Sequence, residues 1–377
     1  MLKAYKYRIY PTQEQSEQLS QQFGNARYVF NWGLAEKIKE YQENKKTISC
    51  FSLMNRLPKM KKEIEWLKLS DAQVLQQSLR RLDNAFTSFF RKQNKFPHFK
   101  TKRDKQSMTY PQRVKIEEER IYLPKIGWMV KPEKRDFEGK IKNVTVSMTT
   151  TNKYFASVLV ENGVELPKKQ KITEQRTIGI DVGLTHFLTT SKSEKIENPR
   201  YLKNALIRLK VKQKQFSRKK KGSIKRNKAR LNVALIHEKV VNKRSDFVHK
   251  LSKRLISENQ AIAIEDLFIS GMIKNHSLAF SISDVAWREF FDCLSYKADW
   301  YGKTILKIGR FEASSKICNK CGFVNNKLTL SDRTWKCKCG IEHDRDINAS
   351  INIKKFALLG LQDSEPRINK IALSGQQ

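Results

Sequence analysis

The sequence has no long apolar segment. Its 377 residues contain no run of about eighteen apolar residues, which is the length that a membrane-spanning helix needs. The N-terminal stretch MLKAYKYRIY also lacks the apolar core of a secretory signal peptide. We therefore expect a cytoplasmic protein with no signal peptide and no membrane partner.

Acidic residues are scarce relative to basic ones. The chain has 38 Asp and Glu residues against 75 Lys and Arg residues, which gives a formal net charge of +37. Such an excess repels itself unless a polyanion neutralises it, so nucleic acid is the expected partner. The alternative is a ribosome-associated or simply very soluble basic protein.

Cysteine is scarce too, and most of it is clustered. Four of the six cysteines lie in the pairs CNKC and CKC, which are separated by fifteen residues: Cys318, Cys321, Cys337 and Cys339. A disulfide framework would spread its cysteines along the chain, whereas two close pairs match the four thiolate ligands of a tetrahedral zinc site. The pattern predicts a zinc ribbon with one structural Zn²⁺ ion, in which His343 is the alternative ligand to one thiolate.

The first half of the chain changes its hydrophobic period. An alternating strand ends at Pro11, and a capping-box pattern at Thr12 then starts a helix. A second helix is expected at about 71–92, and the alternation in 144–160 predicts an antiparallel hairpin followed by a polar linker at 161–175. The residues predicted to face the core from the first helix are Leu19, Phe23, Ala26, Phe30 and Leu34.

The second half contains a strongly basic region, residues 200–257. From Tyr201 to Leu255 it has 19 Lys or Arg residues and only two acids. Apolar residues along one side predict helices, and SRKKKGS predicts the turn between them. A merely solvated surface would mix the two signs, so we expect this region to bind a polyanion. The candidate nucleic-acid-binding residues are Lys210, Lys212, Lys214, Arg218, Lys219, Lys220, Lys221, Lys225, Arg226, Lys228 and Arg230.

Three acidic residues occupy positions that suit a metal-dependent nuclease. Asp181 follows an apolar strand within GIDVG, Glu265 ends the apolar run AIAIE, and Asp346 lies near the start of the last helix. In an RNase H-type sheet these positions converge. Two Mg²⁺ ions held by such carboxylates would stabilise the attacking water and the leaving oxygen of a phosphodiester. Asp344 competes with Asp346 for the third position or caps the helix, and spacing does not choose between them.

Several motifs, in their order along the chain, resemble the TnpB proteins of bacterial insertion sequences. They run from about residue 1 to 356: KAYKYRIYPTQEQ, GIDVG, SRKKKGS, AIEDL, AWREFFDCLSYKADWYGK, SSKICNKCG, WKCKCG and HDRDINASINI. The resemblance implies an RNA-guided DNA endonuclease with a RuvC-type domain, a relative of the compact type V CRISPR effectors. It selects Asp346, in an Asp-x-Asn element, as the third acid beside Asp181 and Glu265. The second cysteine pair departs from the family, where two intervening residues are commoner than one.

The resemblance also implies a fold and partners. The expected fold is α/β with β-barrel and helical parts: an RNase H-like (RuvC) nuclease domain with an inserted zinc ribbon follows a wedge barrel with an inserted helical recognition domain. The expected partners are a guide RNA derived from the transposon end and a double-stranded DNA target, bound by a monomer whose basic helices follow the RNA–DNA hybrid. The implied domains are the wedge (1–11 and 93–165), the recognition domain (12–92), the nuclease domain (166–313 and 343–360), the ribbon (314–342) and a disordered tail (361–377).

Two other functions share these features. A guided repressor would bind DNA without cutting it, but family members with that role have lost catalytic acids, whereas this sequence keeps all three. A transposase could join strands with the same fold and metals, and only a guide-free joining assay would separate it from a nuclease.

Overall fold

The computed structural model describes residues 1–310, 312–329 and 331–364. The chain divides into two compact units, Met1–Glu165 and Leu166–Gln377. Each unit has its own apolar core. No helix within the described residues is long and apolar enough to cross a membrane. Most of the tail predicted at 361–377 lies outside the described residues.

The helices of the first unit are the two that were predicted and two others. They are α1 (Gln13–Asn44), α2 (Cys50–Glu63), a short 3₁₀ helix (Glu65–Leu69) and α3 (Ala72–Phe90). The capping box at Thr12 is confirmed, because its hydroxyl accepts a hydrogen bond from the Gln15 N–H while the Gln15 side chain accepts one from the Thr12 N–H. All five residues predicted to face the core from α1 are buried. Neither helix α2 nor the 3₁₀ helix was predicted.

The strands of the first unit form two antiparallel sheets. The strands are β1 (Leu2–Ile9), β2 (Gln106–Tyr110), β3 (Lys115–Ile116), β4 (Arg120–Leu123), β5 (Gly127–Val130), β6 (Lys140–Met148) and β7 (Tyr154–Glu161). One sheet has the order β1-β7-β6-β2 and the other the order β3-β4-β5. The predicted hairpin is confirmed as β6 and β7. Side chains from both sheets pack into one apolar core with the first turns of α1, in the region where the resemblance implies a barrel.

The second unit is built on a five-stranded sheet. Its strands are β8 (Thr177–Val182), β9 (His186–Thr190), β10 (Lys195–Glu197), β11 (Ala261–Glu265) and β12 (Thr304–Ile308). The order is β10-β9-β8-β11-β12. Strands β8, β11 and β12 are parallel, whereas β9 and β10 are joined to β8 as an antiparallel meander.

Helices cover both faces of this sheet. They are α4 (Tyr201–Ser217), α5 (Ile224–Glu258), α6 (Ile269–Met272), α7 (His276–Val285), α8 (Trp287–Trp300) and α9 (Arg345–Ser364). Helices α5 and α8 pack on the face that carries the large side chains of β8 and β11, such as Ile180 and Ile264. Helix α9 packs on the opposite face, against small residues such as Ala261 and Ala263. The result is a three-layer α/β/α unit.

The cysteine segment forms a small separate core between β12 and α9. It contains the hairpin of β13 (Thr334–Lys336) and β14 (Glu342–Asp344) and an isolated bridge between Ile317 and Val324. Trp335 and Leu328 are buried among the cysteines. A core this small needs a further cross-link to be stable, which is the role that the sequence assigns to zinc.

Candidate active site

The register of two parallel strands brings Asp181 and Glu265 together. Ile180 of β8 is paired with Ile264 of β11, so the next residues, Asp181 and Glu265, lie at the same level at the carboxyl ends of adjacent strands. Side chains alternate between the two faces of a strand. Asp181 therefore points to the same face as Gly179, and Glu265 to the same face as Ala263, which is the face covered by α9.

Close packing of α9 on this face brings the third acid. A Cβ atom placed on Gly179 would lie 2.0 Å from the carbonyl oxygen of Ser350 and 2.8 Å from the backbone nitrogen of Lys354. Only glycine permits this approach of helix backbone to strand. Because α9 is held this close, Asp346 in its first turn lies beside the two strand-end carboxyl groups.

The electrostatics of Asp181 reflect this convergence. Burial raises the pKa of the Asp181 carboxyl well above its ordinary value, and the neighbouring carboxylates of Glu265 and Asp346 raise the pKa further. The guanidinium of Arg345 opposes this rise. A carboxylate pair or triad that resists full ionisation is stabilised when a cation enters, so the arrangement favours divalent metal binding. Oxygen-only donors of this kind suit Mg²⁺.

Asp344 and Asp346, which spacing did not distinguish, make different contacts. Asp344 Oδ1 accepts hydrogen bonds from the backbone N–H groups of Asp346 and Ile347, both at 3.1 Å, and so caps α9. Its other oxygen pairs with Lys195 at 2.5 Å, and these contacts lower the pKa of Asp344 although burial opposes them. The Asp346 carboxylate lies 4.0 Å from Arg333 Nη1 and makes no part of the cap.

The four cysteines form one compact metal-ligating group. Their sulfur atoms all lie within 4.8 Å of one another, and no other group of metal-ligating side chains in the described residues is as compact. Burial would raise the pKa of the Cys318 thiol, but hydrogen bonds from the backbone N–H groups of Cys321 and Lys320 and from His343 bring this pKa down to about 6. Thiolate is the form that zinc binds, so the residues fit a closed four-sulfur zinc site.

His343 is placed beside this group as a hydrogen-bond partner. Its Nε2 atom lies 3.0 Å from Cys318 Sγ, and its ring packs against Trp335. With four sulfurs already mutually close, the tetrahedral ligand set is complete without the imidazole. His343 lies within hydrogen-bond distance of one of these sulfurs.

Two asparagines of α9 connect the cysteine segment to the helix that carries Asp346. Asn348 donates a hydrogen bond to the carbonyl of Ile317 at 2.8 Å and accepts one from the Asn319 N–H at 3.0 Å. Asn352 donates to the carbonyls of Ser314 at 2.8 Å and Ile317 at 2.6 Å. Both asparagines are 1% exposed. The role of Asn352 was not predicted, although its spacing of four from Asn348 on a helix is the signal that could have identified it.

The predicted basic region is a helical hairpin of α4 and α5, with SRKKKGS forming the turn. Nine of its eleven candidate residues are exposed, and Lys212 and Arg226 are half-buried. Arg226 has a structural role, since its guanidinium donates to the carbonyl of Lys219 at 2.6 Å and stacks on Phe216. The hairpin is anchored by Asp284, whose carboxylate accepts hydrogen bonds from the first N–H groups of α4 and from Arg244.

Three segments of the chain match known families. Residues 157–276 match a family described as "Probable transposase", residues 287–353 match the "Cas12f1-like, TNB domain", and residues 1–46 match a "Helix-turn-helix domain". The last of these segments folds here as strand β1 and the single long helix α1.

Two bacterial relatives are similar to this chain over most of their own length. A protein of Streptomyces pristinaespiralis, assigned by name to the RNA-guided DNA endonucleases, is 39% identical over 93% of this chain and 88% of its own length. InsQ of Escherichia coli K12, with the same assigned activity, is 32% identical over 93% of this chain and 91% of its own length. The fold is similar to that of a Cas12f1–sgRNA–target DNA complex, with a TM-score of 0.58 at 13% identity over 94% of this chain and 98% of that one.

Proposed function

Because the chain belongs to the TnpB family of transposon-associated RNA-guided DNA endonucleases, we propose that it cuts DNA under the direction of a guide RNA and with Mg²⁺ as cofactor. The observation that carries the proposal is the convergence of Asp181, Glu265 and Asp346 on one face of the sheet in the second unit. We interpret that sheet as RNase H-like, of the RuvC type.

The three acids have distinct positions in the proposed mechanism. Asp181 and Glu265 extend from adjacent strands, and Asp346 approaches from the helix across them, so together they would hold two Mg²⁺ ions between three carboxylates. When bound, such ions stabilise both the attacking water and the leaving oxygen of the phosphodiester. Asp181 is half-buried, and this burial together with its two carboxylate neighbours raises the pKa of its carboxyl.

Recognition of nucleic acid is assigned to the basic surfaces. The α4–α5 hairpin presents most of its candidate lysines and arginines to solvent, and we propose that it lies along the backbone of the RNA–DNA hybrid. Base pairing with the guide would supply sequence specificity, so this contact needs no base readout. We propose further that the first unit comprises the wedge and recognition domains, that the guide derives from the transposon end, and that one chain serves each complex in a bacterial cytoplasm.

The proposal is tested by a cleavage assay on the ribonucleoprotein. The chain is expressed with the DNA that flanks its gene downstream, purified, and challenged with a plasmid library that carries a matched target beside randomised bases. We expect cuts that require Mg²⁺, the guide match and one adjacent motif. Asp181→Ala and Asp346→Asn should abolish cutting while guide RNA binding persists. Asp344→Asn is the matched control, because asparagine keeps the helix cap.

Each alternative outcome has a definite meaning. Guide-matched binding without cuts would replace the nuclease by a guided repressor. Joining of strands without a guide would replace it by a transposase. Wild-type cutting by Asp181→Ala would remove that residue from the mechanism.

The backbone contact has a separate test. Neutralising Lys219, Lys220 and Lys221 to alanine should reduce the slope of log K against log salt by about 0.7–0.9 for each phosphate that the variant no longer neutralises. An unchanged slope would remove the α4–α5 turn from the nucleic-acid interface.

A further inference from the structure

One hydrogen-bond donor reaches the proposed nuclease site from outside the sheet. The Ser314 hydroxyl donates to Glu265 Oε1 at 2.5 Å. Ser314 is 5% exposed and lies four residues before Cys318, at the start of the cysteine segment. This contact joins a strand-end carboxylate to the segment that the zinc site organises.

The backbone around Ser314 is fixed independently of this hydroxyl. Its carbonyl accepts a hydrogen bond from Asn352 at 2.8 Å, and its N–H donates to the carbonyl of Glu312 at 2.8 Å. Three residues further on, the carbonyl of Ile317 accepts from both Asn348 and Asn352. The hydroxyl therefore extends from a held segment rather than from a free loop.

We propose that Ser314 is a positioning residue for Glu265, and that through this hydrogen bond the folded zinc ribbon sets the orientation of a carboxylate of the nuclease site. The inference rests on the proposed function. A serine hydroxyl that occupies one carboxylate oxygen leaves the second oxygen free for a divalent cation and prevents rotation of the carboxylate.

Under this proposal, the zinc site influences the carboxylate site. Zn²⁺ fixes Cys318 and the preceding segment, Asn348 and Asn352 dock that segment on α9, and Ser314 then meets Glu265. Disruption of the ribbon should therefore weaken divalent cation binding at the carboxylates even though no cysteine touches them.

Ser314→Ala is the direct test, with Ser315→Ala as its matched control. The neighbouring hydroxyl of Ser315 has no hydrogen-bond partner within the described residues, and only its carbonyl is used, by Asn348. Ser314→Thr retains the donor. For each ribonucleoprotein we would measure the cleavage rate against Mg²⁺ concentration, guide RNA affinity and thermal unfolding. Mn²⁺ binding would be measured by the electron paramagnetic resonance of free Mn²⁺, with no substrate present.

Removal of the hydroxyl should raise the Mn²⁺ dissociation constant and the Mg²⁺ midpoint of cleavage about 10- to 100-fold, the range for partners that orient metal ligands. Guide RNA affinity and the unfolding temperature should stay near wild type, Ser315→Ala should match wild type, and Ser314→Thr should recover most of the loss. In a Glu265→Gln background, Ser314→Ala should cause no further change in Mn²⁺ affinity.

If Ser314→Ala binds Mn²⁺ as tightly as wild type, the proposal is overturned. It is also overturned if Ser314→Ala weakens Mn²⁺ binding in the Glu265→Gln background as much as it does in the wild-type background. If Ser314→Ala unfolds, Ser314→Thr is compared with Ser314→Val, which has the same shape but lacks the hydroxyl: weaker Mn²⁺ binding by valine alone supports the proposal, and equal Mn²⁺ affinity overturns it. If the wild-type complex cuts no target, the nuclease proposal fails, and the Mn²⁺ titration still decides the role of Ser314.

Discussion

Replacement of Gly179 by alanine tests whether close approach of α9 to β8 sets the geometry of the acids. The new Cβ atom would lie 2.0 Å from the Ser350 carbonyl oxygen, and side chains essentially never come closer than 3.0 Å to such an atom. The helix must therefore retreat by at least about 1 Å. We expect a loss of about 1–3 kcal/mol in the free energy of unfolding from this overpacking.

The same displacement carries Asp346 away from Asp181 and Glu265. A misplacement of about 1 Å in a reacting centre can lower the rate about 100-fold, so Gly179→Ala should cut about 100-fold more slowly at saturating Mg²⁺. The assay is single-turnover cleavage at a temperature well below unfolding, together with thermal melting and guide RNA binding. Zinc content should be unchanged, because the cysteines do not touch Gly179.

Gly360→Ala is the matched control on the same helix. A Cβ atom at Gly360 meets nothing within 4 Å, so alanine there should stabilise α9 by up to about 1 kcal/mol and leave cleavage unaltered. A Gly179→Ala variant that is destabilised yet cuts at the wild-type rate would refute the link between helix approach and acid geometry.

Three further predictions concern charge, capping and zinc. Asp181→Asn should have a higher melting temperature than wild type at neutral pH without added divalent metal, because asparagine carries no charge at this position. The increase should be about 2–4 °C for each kcal/mol by which ionisation of the Asp181 carboxyl destabilises the wild-type fold. Burial and two carboxylates raise the folded-state pKa of Asp181 above its unfolded value, so wild-type stability falls as pH rises between those two values. The difference in melting temperature between Asp181→Asn and wild type should therefore narrow as the pH is lowered toward 4. A difference that widens toward pH 4 would contradict this prediction. Asp344→Ala removes the cap of α9 and should lower the free energy of unfolding by about 0.5–2 kcal/mol, as measured by chemical denaturation. Asp344→Asn should lose less, because asparagine can also cap a helix. Equal losses in the two variants would assign the effect to the ion pair with Lys195 instead. Removal of zinc by a chelator, or the Cys318→Ser substitution, should expose the buried Trp335 and shift its fluorescence to longer wavelength. A Trp335→Phe variant provides the blank for this measurement. An unshifted spectrum would show that the ribbon folds without metal.

Local patterns identified several of the elements correctly. The capping box at Thr12, the buried face of α1 and the β6–β7 hairpin depend on neighbouring residues, so the sequence predicts them directly. The clustering of the four cysteines was also predictable, because the two pairs lie close in the chain and have the spacing of metal-ligating cysteines. Helix α2 was missed because it contains Pro58 and four Lys or Arg residues, which obscure its apolar face.

Strand-end acids were predictable as candidates, but their convergence was decided by tertiary structure. The register of β11 against β8 puts Glu265 level with Asp181, and no local pattern specifies a register between strands more than eighty residues apart. The choice of Asp346 over Asp344 likewise depends on which side chain turns back to cap α9. Only the folded chain brings Ser314 to Glu265, because that contact joins residues 49 positions apart.

The sequence by itself therefore determined the side chains available: four clustered thiols, three candidate carboxylates and a strongly basic region. It also contained the alternation of large and small residues in TIGID and AIAIE, which assigns α5 and α8 to one face of the sheet and α9 to the other. Tertiary structure decided which of these groups meet. The distance between side chains on β8, β11 and α9 depends on how closely the backbone of α9 approaches the strands. Here the absence of a side chain at Gly179 permits that close approach.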